Sequence, residues 1–185
     1  VTDVRIDYVS GNLTDHYDPR TKTISLSQDV YDVATPAAVG VAAHEAGHAV
    51  QYAENYLPIR IRAAIIPATN LGSKLSVPLI LLGLILPSFR LFAPYTDFFN
   101  TIAWIGVACY GLCLLFQLVT LPTEYNASRR AVAAIEQCGL LTRDEQQGAK
   151  KVLKAAALTY VAALSVTLMQ LLRLVMIVGG RRRRD

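Results

Sequence analysis

Residues 39–50 read VGVAAHEAGHAV, and this stretch determines what can be expected of the chain around it. Small and apolar residues flank two histidines and one glutamate. Upstream, Thr35 is a good helix N-cap and Pro36 suits the first helical position. We therefore predict a helix from about Pro36 to Glu54, ending before Pro58. An apolar helix of this kind has little reason to carry three polar groups unless they have a function.

The segment His44–His48 is an HExxH motif. Its histidines stand at positions i and i+4 of the predicted helix and share one face, so that both imidazoles can bind one zinc ion. Glu45 follows the first histidine, where it can deprotonate a zinc-activated water and later pass the proton to a leaving amine. The motif thus indicates a zinc peptidase with one Zn²⁺ per chain. The alternative is a helix end that merely exposes polar residues.

A catalytic zinc normally has three protein ligands and a water molecule. His16 is the remaining histidine of the chain, and a carboxylate is the other possible source of the third ligand. Glu124 is the best-placed carboxylate, because it opens a predicted helix directly after a long apolar stretch. Glu54 is too close to the motif on the same helix, while Glu136 and Glu145 are typical of a solvated helix face. Spacing alone leaves His16 and Glu124 both open.

The composition indicates a membrane protein. Hydrophobic residues make up 53% of the 185 and charged residues 17%, against roughly 25% charged in soluble domains. Residues 98–123 and 155–172 contain no Asp, Glu, Lys or Arg, and each segment is long enough to cross a bilayer as a helix. A third uncharged stretch, 75–89, is shorter and contains two prolines, but it can extend backwards through the apolar segment 63–73. Two to three transmembrane helices are predicted.

The remaining segments suggest a small β-ribbon and two further helices. Residues 4–9 and 21–27 alternate apolar and polar side chains, which is typical of strands, with a turn over 15–20 between them. Pro122-Thr123 predicts a break, followed by a helix over 124–138. Thr142–Glu145 reads as a capping box that opens the helix leading into the last span.

The predicted fold is a mainly α integral membrane protein forming one integrated domain. Its four segments are 1–60 with the ribbon and the motif helix, 61–121 as a transmembrane hairpin, 122–154 with the third-ligand helix and the helix after it, and 155–185 with the last span and a basic tail. The chain begins with Val1 rather than Met, which leaves open whether a further segment precedes it.

Three further segments carry a family resemblance. They are LTDHYDPR at 13–20, LPTEYNASRRA at 121–131 and GAKKVLKAAALTYVA at 148–162. Together with the HExxH motif, they resemble the bacterial neutral zinc metallopeptidases of the YugP type. The resemblance implies a membrane protease with a zincin-like motif helix, and it implies that Glu124 is the third zinc ligand.

More distantly, Glu124-x-x-Ala127 is similar to the Glu-x-x-Ala-Asp motif of the HtpX-like gluzincins and the CAAX-prenyl proteases. Ser128 stands where those proteins have the aspartate that supports a ligand histidine. The groups around the ligands must therefore be arranged differently. Asn126, Ser128 and Arg129 are all candidates for this role.

Peptide hydrolysis also needs a donor that stabilises the oxyanion. The candidates are His16, Tyr17, Arg129 and Arg130. The simpler interpretation is that the first two hold a turn in the ribbon and that the arginines are helix-surface charges. The strand 21–27 is predicted to offer an edge to which an extended peptide substrate could add.

Two other functions could also use the HExxH motif. A site-2 type intramembrane protease would need an aspartate in a later span, and neither long apolar stretch has one. A catalytically silent zinc-binding scaffold or partner-binding protein would not need Glu45. The expected partners are a protein or peptide substrate, from the membrane or near it, and the lipid bilayer.

Nucleic acid is not expected as a partner, since Arg181–Arg184 after an apolar helix is typical of a membrane anchor. The expected location is the bacterial plasma membrane. Six Lys and Arg in 121–154 favour a cytoplasmic site, whereas the basic tail favours the opposite orientation. The side of the membrane stays open.

Overall fold

The computed structural model describes residues 2–181, without the side chain of Arg181. The predicted anchor Arg181–Arg184 therefore lies outside the described side chains. The chain is mainly helical, as predicted. Its elements are β1 (Arg5–Tyr8), β2 (His16–Asp18), β3 (Thr23–Leu26), α1 (Pro36–Ala53), α2 (Leu57–Ile85), α3 (Thr96–Gln137) and α4 (Arg143–Arg181), with two short 3-10 turns at Leu86–Ser88 and Ala93–Tyr95.

The chain divides into two compact units. The first unit comprises Val1–Ile61 and Thr120–Tyr160, and the second comprises Arg62–Val119 and Val161–Asp185. Each unit therefore combines two stretches that are distant in sequence. The division into four consecutive segments stays a prediction.

The sheet of the first unit has the strand order β1-β3-β2. β1 runs parallel to β3, with Ile6 opposite Ile24, and β2 runs antiparallel to it. Ile24 and Leu26 point into the core. The prediction that strand 21–27 offers a free edge is wrong, because β3 is the central strand and is paired on both sides. Alternation of apolar and polar residues indicates a half-buried strand but does not show which strands it pairs with. The third strand, β2, lies in the segment 15–20, which was predicted to be a turn.

Helix α1 begins and ends close to its predicted limits. The Thr35 hydroxyl accepts a hydrogen bond from the Ala38 amide at 3.2 Å, and Pro36 is the first helical residue. Two glycines of α1 lie against other helices of the first unit: a Cβ at Gly40 would meet Ala149 of α4, and a Cβ at Gly47 would meet Ala127 of α3. Helix α1 thus packs closely on both.

Helix α3 is continuous through Pro122, so the predicted break at Pro122-Thr123 is wrong. Proline removes one backbone hydrogen bond. The residues after it recur on one buried face at helical spacing: Thr123, Glu124, Ala127 and Ala131 are each at most 2% exposed. Burial of this face accounts for the helix continuing. Farther along, the capping box is confirmed, since Glu145 accepts from the Thr142 amide at 2.9 Å and the Thr142 hydroxyl accepts from the Glu145 amide at 3.4 Å.

The second unit is built from apolar helices. Ile80, Ala103, Val107 and Val178 form its buried cluster. Many large apolar side chains remain exposed, among them Ile105, Leu118 and Met169. Three helical stretches, Leu57–Ser88, Ala93–Gln137 and Arg143–Gly180, are long and apolar enough to cross a membrane. The structure therefore supports the larger of the two predicted span numbers. The proline-containing third candidate lies in α2 as far as Ile85 and continues into the 3-10 turn Leu86–Ser88.

Candidate active site

The structure brings His44, His48 and Glu124 together, with one ligand atom of each lying within 4.8 Å of the others. The Glu124 Oε2 lies 3.1 Å from the His44 Nε2 and 3.6 Å from the His48 Nε2. Two ligands that each stand about 2.1 Å from a tetrahedral zinc are about 3.4 Å apart. The donor set and its spacing therefore fit zinc, with the fourth position left for water. His16 lies elsewhere, exposed, with its Nδ1 2.8 Å from the Thr14 carbonyl oxygen.

The packing of α1 on α3 brings the two sources of ligands together. The two imidazoles lie one turn apart on α1, with ring centres 4.7 Å apart, and Glu124 is 2% exposed on α3. Between the histidines, Gly47 faces the α3 backbone, and a Cβ there would stand 2.7 Å from the Ala127 carbonyl oxygen. Only a glycine allows this close approach. The glycine inside the HExxH motif is visible in the sequence. The sequence does not show that the backbone it faces is that of Ala127 on α3.

Each histidine has a hydrogen-bond partner for its other ring nitrogen. The Ser128 hydroxyl lies 3.1 Å from the His44 Nδ1, and the Gln51 Oε1 lies 2.9 Å from the His48 Nδ1. In both rings the Nε2 atom is the one that faces Glu124. Of the three predicted supporting residues, Ser128 contacts a ligand directly, Asn126 contacts Gln51 at 3.0 Å, and Arg129 is exposed.

Sequence reasoning missed Gln51. It stands three residues after His48 on the same helix, and this spacing is the signal that could have found it.

Burial controls the electrostatics of the site. Burial raises the pKa of Glu45, which is 8% exposed, although the neighbouring charges of His48 and His44 oppose the shift. Burial also acts against the charged form of His48, but the hydrogen bond and charge of Glu124, the charge of Glu45 and the hydrogen bond to Gln51 together outweigh that effect, so the pKa of His48 is raised. Glu45 therefore has little contact with bulk water. It lies beside the imidazoles of His44 and His48, which both contact the Glu124 carboxylate.

A cavity of about 180 Å³ adjoins this group. Its polar lining is Asp15, His44, Glu45, Glu124, Ser128 and Tyr160, and its apolar lining is Leu13, Val41, Val152, Leu153, Ala156 and Ala157. Asp15 accepts hydrogen bonds from the amide and hydroxyl of Ser27, at 2.7 and 3.0 Å. Tyr160 belongs both to the predicted span 155–172 and to the family-resemblance segment 148–162, and neither pattern distinguishes its hydroxyl.

The four predicted oxyanion donors do not line this cavity. His16 is exposed, as described above, and the Tyr17 ring packs on the Tyr52 ring at 5.8 Å. Arg129 is exposed, and Arg130 hydrogen-bonds Glu54 at 2.6 Å. Among the residues that line the cavity, Ser128 and Tyr160 carry hydroxyl groups.

Comparison with known proteins identifies the family. The family described as "Putative neutral zinc metallopeptidase" matches residues 1–179. The chain is 42% identical over 180 residues to a Bacillus subtilis (strain 168) protein named "Putative membrane protease YugP", an alignment that covers 97% of this chain and 75% of that relative. No solved structure matches the chain. The chain belongs to the family of neutral zinc metallopeptidases described by that name.

Proposed function

We propose that the protein is an integral-membrane zinc metalloendopeptidase in which His44, His48 and Glu124 hold the metal and Glu45 is the general base. One observation carries the proposal. His44 and Glu124 line one cavity together with Glu45, and a ligand atom of the third candidate, His48, lies within 4.8 Å of theirs. The arrangement, two ligands from an HExxH helix and a glutamate from a second helix, corresponds to a gluzincin-like site. Family membership supports the same reaction.

The donor set suits a catalytic rather than a structural zinc. Two neutral imidazoles and one carboxylate leave the fourth position open and a net positive charge on the centre. When bound, zinc would polarise the scissile carbonyl and lower the pKa of water towards about 7. The proposed ligand set contains no cysteine thiolate, the ligand found in many structural zinc sites.

Glu45 would move the proton during the reaction. Its carboxylate would take a proton from the attacking water and donate it to the amine that leaves. The buried position of Glu45 keeps bulk water from competing for this proton. Such general-base groups typically contribute about 10²–10⁴-fold to the rate.

Tyr160 is our candidate for the donor to the oxyanion. Tyr160 on α4 is one of the two hydroxyl-bearing residues that line the cavity beside the candidate ligands. A phenol can donate to an oxygen that becomes negatively charged in the transition state. His16, Tyr17, Arg129 and Arg130 take second place because they lie outside the cavity lining.

The substrate would be a protein or peptide with an apolar side chain next to the scissile bond. Six apolar residues line the cavity, whose volume of about 180 Å³ is below the roughly 300 Å³ typical of a whole ligand site. A peptide adding to the sheet would use the edge strand β2, because Leu13 and Asp15 just before it line the cavity. The three apolar helices and the name of the Bacillus relative support a location in the bacterial plasma membrane.

Cleavage by the detergent-purified protein tests the proposal. Wild type should cleave members of a quenched-fluorescent peptide library, and Glu45→Gln should bind zinc equally well but cleave at least about 100-fold more slowly. Equal cleavage by both proteins would contradict the role of Glu45. A zinc-loaded wild type that cleaves nothing, with Glu45→Gln preserving the effect of the protein in cells, would favour the zinc-binding scaffold instead.

A further inference from the structure

Gln51 makes three hydrogen bonds from a side chain that is 0% exposed. Its Oε1 lies 2.9 Å from the His48 Nδ1, and its Nε2 donates to the Thr123 carbonyl oxygen at 2.8 Å and to the Asn126 Oδ1 at 3.0 Å. One buried amide thus connects a candidate ligand on α1 to the α3 peptide group just before Glu124.

The donor and acceptor in each of these hydrogen bonds can be assigned, because two of the partners can act in only one way. A backbone carbonyl only accepts, so Thr123 requires the amide NH₂ of Gln51. A guanidinium only donates, and the Arg130 Nε lies 2.7 Å from the Asn126 Oδ1. Asn126 must therefore present its oxygen, and it also requires the NH₂ of Gln51. Two independent neighbours on α3 impose the same orientation on Gln51.

The orientation of Gln51 determines the tautomer of His48. With its NH₂ directed towards α3, Gln51 has only its carbonyl oxygen for His48. The His48 Nδ1 must then carry the hydrogen, and the lone pair of the neutral ring is on Nε2, the atom that faces Glu124. A metal ligand of this geometry needs its lone pair there.

The same contacts bind the two ligand helices to one another. Thr123, Asn126 and Arg130 stand on one face of α3, and Arg130 also reaches Glu54 after the end of α1, at 2.6 Å. The chain of hydrogen bonds therefore runs from an exposed ion pair to a buried histidine. It holds α1 and α3 at the separation at which their ligands meet.

We infer that Gln51 is a positioning residue of the zinc site, which fixes the Nδ1–H tautomer of His48 and connects α1 to the α3 turn that carries Glu124. This inference rests on the proposed function, because it assigns a role towards the metal. It concerns binding and ligand geometry and does not require Gln51 to touch the substrate.

Zinc affinity of the full-length protein in detergent, measured by chelator competition, tests the inference. Gln51→Leu keeps a similar volume and removes all three hydrogen bonds, and we expect it to bind zinc about 10–100-fold more weakly. The matched control is Gln146→Leu on α4, which removes a glutamine hydrogen bond to the Leu141 carbonyl just before that helix and lies outside the cavity lining. The control should bind zinc like wild type.

A second readout separates positioning from a purely structural role. With Co²⁺ in place of zinc, Gln51→Leu should change the visible ligand-field spectrum, whereas Gln146→Leu should not. Wild-type zinc affinity and an unchanged cobalt spectrum in Gln51→Leu would overturn the inference, even if its melting temperature falls. A wild type that binds no zinc would overturn the proposed function and this inference with it.

A pair of variants at Asn126 decides the question if Gln51→Leu does not fold. Asn126→Asp keeps an acceptor oxygen for Gln51 and Arg130 and should bind zinc more tightly than Asn126→Leu. Asn126→Leu removes that acceptor and should bind about tenfold more weakly. Equal affinity of the two variants would contradict the proposed chain of hydrogen bonds.

Discussion

Replacement of Gly47 by alanine tests the packing that assembles the site. A Cβ at this position would stand 2.7 Å from the Ala127 carbonyl oxygen and 3.2 Å from its Cα. Both atoms belong to the α3 backbone and cannot rotate away. The 2.7 Å distance is about 0.7 Å short of the 3.4 Å at which ordinary contact begins, so α1 must move away from α3 by roughly that amount, at a typical overpacking cost of about 1–3 kcal/mol.

We expect Gly47→Ala to affect zinc affinity more than it affects the stability of the fold. Zinc–ligand distances are held within about 0.2 Å, and a separation of about 0.7 Å between the ligand helices exceeds this tolerance. We expect Gly47→Ala to lose at least about tenfold in zinc affinity, which corresponds to about 1.4 kcal/mol. The protein should remain folded, because the helix propensity of alanine returns about 1 kcal/mol.

Chelator competition in detergent measures this effect, with thermal melting of the metal-free protein alongside. Gly40→Ala is the matched control. It lies on the same helix and gains the same propensity, but its Cβ would meet the Ala149 Cβ at 3.4 Å. The control should bind zinc like wild type and melt at the same temperature or higher. Wild-type zinc affinity in Gly47→Ala would refute the idea that close α1–α3 packing assembles the site.

Three other variants address the ligand support, the oxyanion and the substrate. Ser128→Ala removes the partner of the His44 Nδ1 and should weaken zinc binding about tenfold in chelator competition; unchanged affinity would contradict its supporting role. Tyr160→Phe should retain zinc but lower kcat by about 10²–10³-fold, and a loss below threefold would exclude Tyr160 as the main oxyanion donor. Ala157→Leu narrows the cavity and should shift cleavage in a peptide library from large towards small apolar side chains, while an unchanged profile would place the substrate side chain elsewhere.

Local patterns in the sequence predicted the parts of the site that lie on one helix. The signals for α1 involve only residues within a few helical turns of one another. They are the cap Thr35-Pro36, the apolar flanks and the spacing of His44 and His48, and α1 forms as they predict. The third ligand could not be identified from local spacing. Spacing left His16 and Glu124 open, and only the family resemblance favoured Glu124 before the structure placed it beside both histidines.

Contacts between distant residues account for what the sequence did not predict. Gln51 bonds residues 72 and 75 positions away in the chain, and Tyr160 reaches the cavity from a helix that composition assigns to a membrane span. Apart from the three-residue spacing of Gln51 from His48, no local pattern indicates either of these contacts. The central position of β3 is a similar case, because strand order depends on pairing and not on alternation.

The prediction of a break at Pro122 failed for a different reason. The local rule for proline is sound, but burial of Thr123, Glu124 and Ala127 on one helical face outweighs it. The continuity matters for the site, since Glu124 follows the proline by two residues on that same helix.

Zinc content of the purified protein tests the central claim most directly. Elemental analysis of wild type, Glu124→Ala and Glu136→Ala compares the candidate ligand with a glutamate of the same helix that is exposed and paired with Lys150 at 2.6 Å. We predict about one zinc per chain in wild type and in Glu136→Ala, as expected for one catalytic site, and loss of zinc in Glu124→Ala. Full retention of zinc in Glu124→Ala, or a wild type that holds none and takes none up, would contradict the account.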